Sequence, residues 1–425
     1  MSSEASTHAG GDPSAEDPWS GANPLDPAYR ADPHPFLKRL RETDPVNLTP
    51  VGIWRLTRYA DVERLLRDVP TGVRMSDGGT LRPSPVTGDP SEFMLSQDPP
   101  NHTRLRRLVS SAFTPTAVGR MREHVQEIVD RQLTRVLPRG RMDVIADLAL
   151  PVPSTVICEM MAIPLADRER FTDWTSDATH LLATVFSPPE VIERGIAAVE
   201  GLRVYFEDLI AERRTRLGDD LLSALIRAEE AGDRLSNSEL IAQSIGLLIA
   251  GFETTIGLIG NGVLALLRHP DQLALLRARP ELIGGAIEEC LRYDGPILLT
   301  VRYLREDTEF GGKVIPRDAM VWAMLAAAHR DPSVFPDPDR FDVTRFGTPN
   351  LAVNSHLAFG GGIHYCLGAH LARMEAQAAI GTLVARCDGL ELESEDLEWG
   401  RSLFRVLGSL PVRFHARRDG ARATS

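Results

Sequence analysis

Apolar residues recur at helical spacing over most of the chain, with polar residues on the opposing faces. Residues 35–43 form a short amphipathic pattern, 51–57 alternate apolar and polar like a strand, and 59–68 return to helical spacing. Residues 70–100 are rich in Gly, Pro, Ser and Asp and carry no period. A loop of that length is usually functional or disordered. Helical spacing resumes at 101–113 and 116–137 with arginines on the polar side, and at 164–216, where Ser187-Pro-Pro189 interrupts it. Ser236-Asn-Ser-Glu239 has the form of a capping box and opens a helix ending near Arg268. At ~1.5 Å per residue those ~30 residues would cross a whole domain. The texture changes after Tyr293. Residues 300–304, 308–310 and 313–315 are short β-like runs between turn sequences, and 331–349 form a Pro- and Asp-rich meander. A last helix is expected over 366–387, then β-like pieces to Phe414. The expected architecture is mainly α with a minor β region: a mobile tail at 1–22, one domain at 23–416 and a frayed end at 417–425.

Composition narrows the class. The chain has 425 residues, 43% of them apolar and 25% charged, which excludes a fibrous or wholly disordered protein. Its 47 Lys and Arg against 59 Asp and Glu give a net charge of −12, so no nucleic-acid partner is expected. Four cysteines, Cys158, Cys290, Cys366 and Cys387, are too few for a disulfide framework and indicate a reducing, cytoplasmic location. The N-terminus lacks the basic and apolar regions of a signal peptide, and no membrane anchor is expected. The most apolar run, 241–267, is interrupted by Gln243, Glu253, Asn261 and several glycines, as suits a buried core helix.

Candidate chemistry concentrates in Phe359-Gly-Gly-Gly-Ile-His-Tyr-Cys366-Leu-Gly-Ala-His-Leu-Ala-Arg373. Consecutive glycines let backbone approach a flat ligand closely. Cys366 falls at the expected start of a helix, where the macrodipole favours a thiolate, and Gly368 leaves room beside the sulfur. A lone thiolate without a zinc-type Cys/His cluster suits an axial ligand to haem iron, whereas most isolated cysteines are simply small buried side chains. The string resembles the haem-binding signature of the cytochromes P450, the haem-thiolate monooxygenases. Three more segments match that family in the same order, so the resemblance covers about residues 26–415.

The resemblance implies the cytochrome P450 fold, with haem b held between a long central helix and the cysteine loop. Cys366 is then the iron ligand, with Phe359, Gly360 and Gly368 shaping its loop. Ala250-Gly-Phe-Glu-Thr-Thr255 matches the oxygen-binding groove: Ala250 borders the haem, and Glu253 and Thr254 are the acid–alcohol pair that delivers protons. Glu289-Cys-Leu-Arg292 matches a buried structural ion pair, which Arg340 or a neighbour within 335–346 completes. Asp98-Pro-Pro-Asn-His-Thr-Arg-Leu-Arg106 places His102 and Arg106 one turn apart, as a clamp on a haem propionate, with Arg302 and His364 as further partners.

The same resemblance assigns a substrate pocket to Met94, Leu95, Ile249, Ala250, Ile297, Leu298, Leu299 and Phe404, within longer stretches at 74–97, 181–191 and 403–404. These are mostly apolar and imply an apolar small molecule of polyketide, terpenoid or steroid-like type. No flavin, dinucleotide or ferredoxin-type motif occurs in the chain. Electrons are therefore expected from NAD(P)H through a separate ferredoxin or flavodoxin and its reductase, docking on Arg104, Arg107, Arg122 and Arg373. A monomer is expected. The alternatives are a peroxide-driven peroxygenase, which Glu253-Thr254 argues against, a haem-based sensor or carrier, and an all-helical binding protein without haem.

Overall fold

The computed structural model describes residues 26–79, 92–110, 113–181, 188–230, 235–347, 355–400 and 404–417. The expected tail at 1–22, nearly all of the end at 417–425, and the predicted positions Ser187 and Leu403 lie outside them. The helix Asn237–Arg268 runs through the middle. Its capping box forms as expected: the Glu239 amide donates to Ser236 Oγ at 3.1 Å, and the Ser236 amide to the Glu239 carboxylate at 2.8 Å. The helix ends at His269, ahead of Pro270, where the proline ring disfavours helical backbone in the preceding residue. It is apolar on nearly every face because it is enclosed by Pro151–Met160, Pro189–Thr215, Ile283–Asp294 and Ala369–Arg386. Its length and hydropathy would allow a membrane crossing, but 72% of its most apolar window is buried inside the protein.

Among the described residues the minor β region is one five-stranded sheet, one three-stranded sheet and a hairpin. The larger sheet runs Val46–Leu48, Trp54–Leu56, Met320–Ala323, Thr300–Leu304, Thr71–Gly72. Only the Trp54–Leu56 and Met320–Ala323 pairing is parallel. The strands Thr300–Leu304, Thr308–Phe310 and Lys313–Ile315 fall where the alternation placed them. The expected 116–137 helix is divided into Pro115–Gly119 and Arg122–Val136. Cys366 is not at a helix start: the last helix begins at Ala369 with Gly368 as its N-cap, so the cysteine belongs to the preceding loop.

Two adjacent carboxylates on Ile283–Asp294 hold that loop and the meander in place. Glu289 is fully buried and takes Arg292 Nε and Nη2, each at 2.7 Å. It also accepts Arg345 Nε at 3.1 Å and the Asp342 amide at 2.9 Å. The third member is thus Arg345 and not Arg340, whose side chain is 63% exposed and 3.9 Å from Asp342. Arg340 contributes only its carbonyl, which both buried guanidiniums donate to. Glu288 serves the other side. Its carboxylate accepts Arg373 Nε at 2.7 Å, Arg373 Nη2 at 2.8 Å and His356 Nε2 at 2.8 Å. Although burial alone would raise its pKa, these bonds from His356 and Arg373 hold the Glu288 carboxyl below its ordinary value.

Candidate active site

The cysteine loop is shaped by close backbone packing. Gly360 and Gly362 have φ of 72° and 64°, in the region that penalises a Cβ. A Cβ on Gly362 would stand 2.4 Å from the Leu66 carbonyl oxygen, so the second reason for glycine there is contact with a neighbouring helix. The Cys366 amide closes the loop by donating to the Phe359 carbonyl at 2.9 Å. The Arg373 guanidinium, held by Glu288, sits 4.4 Å from the centre of the Phe359 ring.

Of the four cysteines only Cys366 is exposed; the others are buried. Burial pushes Cys158 and Cys387 up to about 12, where they are inert thiols. Surrounding protein also raises Cys366, but the Gly368 N–H and the Arg106 and Arg373 guanidiniums pull the other way. A Cβ built on Gly368 would meet no atom within 4 Å, so the face beside the sulfur is open. Among the described residues no group of three or more His, Cys, Asp or Glu side chains could hold a metal ion.

The helix Asn101–Ser110 lies against this loop. Arg106 Nη2 donates to the Tyr365 carbonyl, one residue before the cysteine, at 2.7 Å. The His102 and His364 rings are 4.2 Å apart. His102 is 2% exposed, and neither ring nitrogen has a hydrogen-bond partner among the described residues. Burial lowers its pKa, as does the charge of Arg106 and of Arg302, against an opposing pull from Asp98. Arg302 is itself buried, with Nη1 on the Val301 carbonyl at 2.8 Å. Two guanidiniums and an unbonded buried imidazole thus converge, which is the donor set an anionic group requires.

On the central helix, Leu247, Gly251 and Thr254 are half-buried and Ala250 is exposed, although the flanking turns are almost wholly enclosed. Those positions share one face, opening a window in an otherwise covered helix. Thr254 Oγ1 donates to the Ala250 carbonyl at 3.1 Å, and Glu253 is half-buried beside it. The apolar candidates separate into two groups. Leu95, Ile297, Leu298 and Leu299 stay partly accessible, whereas Met94, Ile249 and Phe404 are built into the main core. Of the arginines expected to dock a carrier, Arg104 meets the Glu239 carboxylate and Arg373 meets Glu288; the Arg107 and Arg122 side chains are exposed. Sequence reasoning missed Glu288 and His356, whose link to the loop is a long-range contact.

The family model for cytochrome P450 matches residues 53–278 and 281–398. The chain belongs to the cytochrome P450 family. Cytochrome P450 107B1 of Saccharopolyspora erythraea is 44% identical over 408 residues, covering 92% of this chain and 96% of that protein. The 6-deoxyerythronolide B hydroxylase of the same organism is 40% identical over 405 residues (91% and 97%). The vitamin D(3) 25-hydroxylase of Pseudonocardia autotrophica is 41% identical over 393 residues (89% and 93%). The crystal structure of CalO2 superposes with a TM-score of 0.83 at 36% identity, covering 93% of this chain and 98% of that one. The protein is a cytochrome P450 monooxygenase, and haem and dioxygen come with that membership. The residues present fit haem. A single exposed sulfur with open space at Gly368 suits an axial ligand, and the cationic cluster with its unbonded His102 suits the anionic edge.

Proposed function

We propose that this P450 inserts one oxygen atom from O2 into a largely apolar small molecule of polyketide, terpenoid or steroid-like type, with Cys366 as the thiolate that would hold the iron of haem b. The observation that carries the reading is the single exposed Cys366 sulfur, served by the Gly368 N–H and two guanidiniums, beside an anion-binding cluster. When bound, haem supplies the activation of dioxygen and the transfer of its oxygen atom. The chain supplies the setting. Cys366 would bind the iron through its sulfur, and the Gly368 N–H would moderate the charge on that sulfur. His102, Arg106, Arg302 and His364 would hold the propionates, and Phe359 and Gly360 would fix the loop that carries the sulfur.

Glu253 and Thr254 deliver protons at Thr254 Oγ1. That hydroxyl donates to the Ala250 carbonyl, and its lone pairs remain able to accept from a water that Glu253 recharges. Retention of this acid–alcohol pair favours O2 over peroxide as the oxidant. The accessible apolar positions Leu95 and Ile297 to Leu299, together with relatives named for a macrolactone and a vitamin D substrate, support a bulky apolar substrate. Electrons come from NAD(P)H through a ferredoxin or flavodoxin and its reductase. An acidic carrier would dock on the cysteine-loop face, at which Ile363 is 48% exposed, with the exposed Arg107 and Arg122 as its cationic partners. The enzyme works as a cytoplasmic monomer. Cys366→Ala should abolish oxygen insertion; retained hydroxylation would reject the assignment.

A further inference from the structure

Arg405 is 8% exposed and joins segments that are remote in sequence. Its Nε donates to Asp294 Oδ1 at 2.5 Å, and Nη1 and Nη2 donate to the carbonyls of Arg30 and Ala31 at 2.5 and 3.1 Å. Its guanidinium stacks 3.6 Å over the Trp399 ring. Its own amide donates to the Pro296 carbonyl at 2.8 Å. Asn261 on the central helix then locks both partners, donating Nδ2 to the carbonyls of Arg405 at 2.9 Å and Asp294 at 3.0 Å. The Arg405 charge and His34, whose Nε2 lies 3.5 Å from Oδ1, keep Asp294 well below the carboxylate range despite its burial.

This assembly rests on the central helix at Gly257. A Cβ there would stand 2.7 Å from Pro296 Cβ and 3.2 Å from the Arg405 carbonyl oxygen. Thr254, Gly257 and Asn261 share one helical face, so the two backbones cross the helix one turn beyond the proposed proton-delivering threonine. Pro296 leads directly into the accessible Ile297 to Leu299, and Arg405 follows Phe404.

We propose that Asp294 and Arg405 are positioning residues for substrate selection: a largely buried clamp that fixes 296–299 and Phe404 against the central helix and so sets the wall that a bulky substrate meets. A buried ion pair contributes little net stability over an apolar pair of equal volume, but it dictates geometry. Its guanidinium bonds go to the Asp294 carboxylate and to the backbone carbonyls of Arg30 and Ala31, so each one fixes a position along the chain.

The inference rests on the haem-thiolate reading, and one experiment separates the two. Haem-loaded full-length wild type, Arg405→Met, Arg405→Lys, Asp294→Asn and Gly257→Ala are titrated with imidazole and with 4-phenylimidazole, and the carbon monoxide spectrum of each is recorded. On this proposal imidazole would ligate the iron without reaching the wall, whereas the phenyl group of 4-phenylimidazole would meet it. The clamp predicts affinity for 4-phenylimidazole weakened roughly tenfold in Arg405→Met and Gly257→Ala, with imidazole affinity changed less than about twofold. Arg405→Lys should recover part of the loss. Should Arg405→Met fail to fold, Gly257→Ala and Arg405→Lys decide, since alanine is the better helix former at Gly257. Parallel shifts of both azoles, or no shift in either, overturn the clamp while leaving the haem-thiolate reading intact. A wild-type protein without the red-shifted carbon monoxide band overturns that reading and the clamp with it.

Discussion

Arginine 292 makes five hydrogen bonds with no exposure of its side chain: two to Glu289, and one each to the carbonyls of His329, Pro338 and Arg340. Arg292→Lys keeps the charge but offers three donors on a single nitrogen, so at least two of the five bonds are lost. A hydrogen bond to a charged group contributes ~1.5–3 kcal/mol, which puts the loss of two at about 3–6 kcal/mol. A typical domain has only ~5–15 kcal/mol to lose. The structure supplies its own controls. Arg345 should behave like Arg292, because it donates to Glu289 and to the carbonyls of Pro336, Asp337 and Arg340. Arg340→Ala should stay within ~0.5 kcal/mol of wild type, since its side chain is in solvent. Urea unfolding followed by far-ultraviolet circular dichroism, with haem content measured in parallel, gives the comparison. A normal midpoint for Arg292→Lys, or Arg340→Ala as damaging as Arg345→Ala, would refute the assignment of the third member and the energetics built on it.

Glu375 is buried with Oε2 unbonded among the described residues, and burial raises its pKa from 4.5 to about 8. Because the folded value lies above the unfolded one, stability is full below about 4.5 and declines as pH rises towards about 8. Glu375→Gln should remove that decline and be more stable than wild type at the upper end of the range; an unchanged slope in pH-dependent unfolding would count against it. Thr254→Ala should divert electrons to peroxide, with product formed per NAD(P)H falling several-fold. Unaltered coupling would remove Thr254 from proton delivery.

What could be read from sequence was whatever local pattern controls. The central helix was legible because its cap and its apolar faces are written in consecutive residues. The strands at Thr300–Leu304, Thr308–Phe310 and Lys313–Ile315 were legible because alternation and turn residues bracket them. Val46–Leu48 and Thr71–Gly72 were not, being too short to carry a period and defined only by their neighbours in the sheet. The same division runs through the site. His102 and Arg106 are one helical turn apart, and the structure does bring both to the cysteine loop. Arg345 could not be told from Arg340, since the meander has no periodicity to say which guanidinium turns inward. Glu288 was invisible beside Glu289 because its partner Arg373 is 85 residues away. The helix beginning at Ala369 instead of Cys366 follows from the cysteine amide closing back onto Phe359, a bond that no spacing rule reveals.

The most direct test of the account is the difference spectrum of the reduced, haem-loaded protein with and without carbon monoxide. Thiolate ligation by Cys366 predicts a strongly red-shifted Soret band that Cys366→His moves to the unshifted position. An unshifted band in native wild type, or a red-shifted band that survives in Cys366→His, would contradict it.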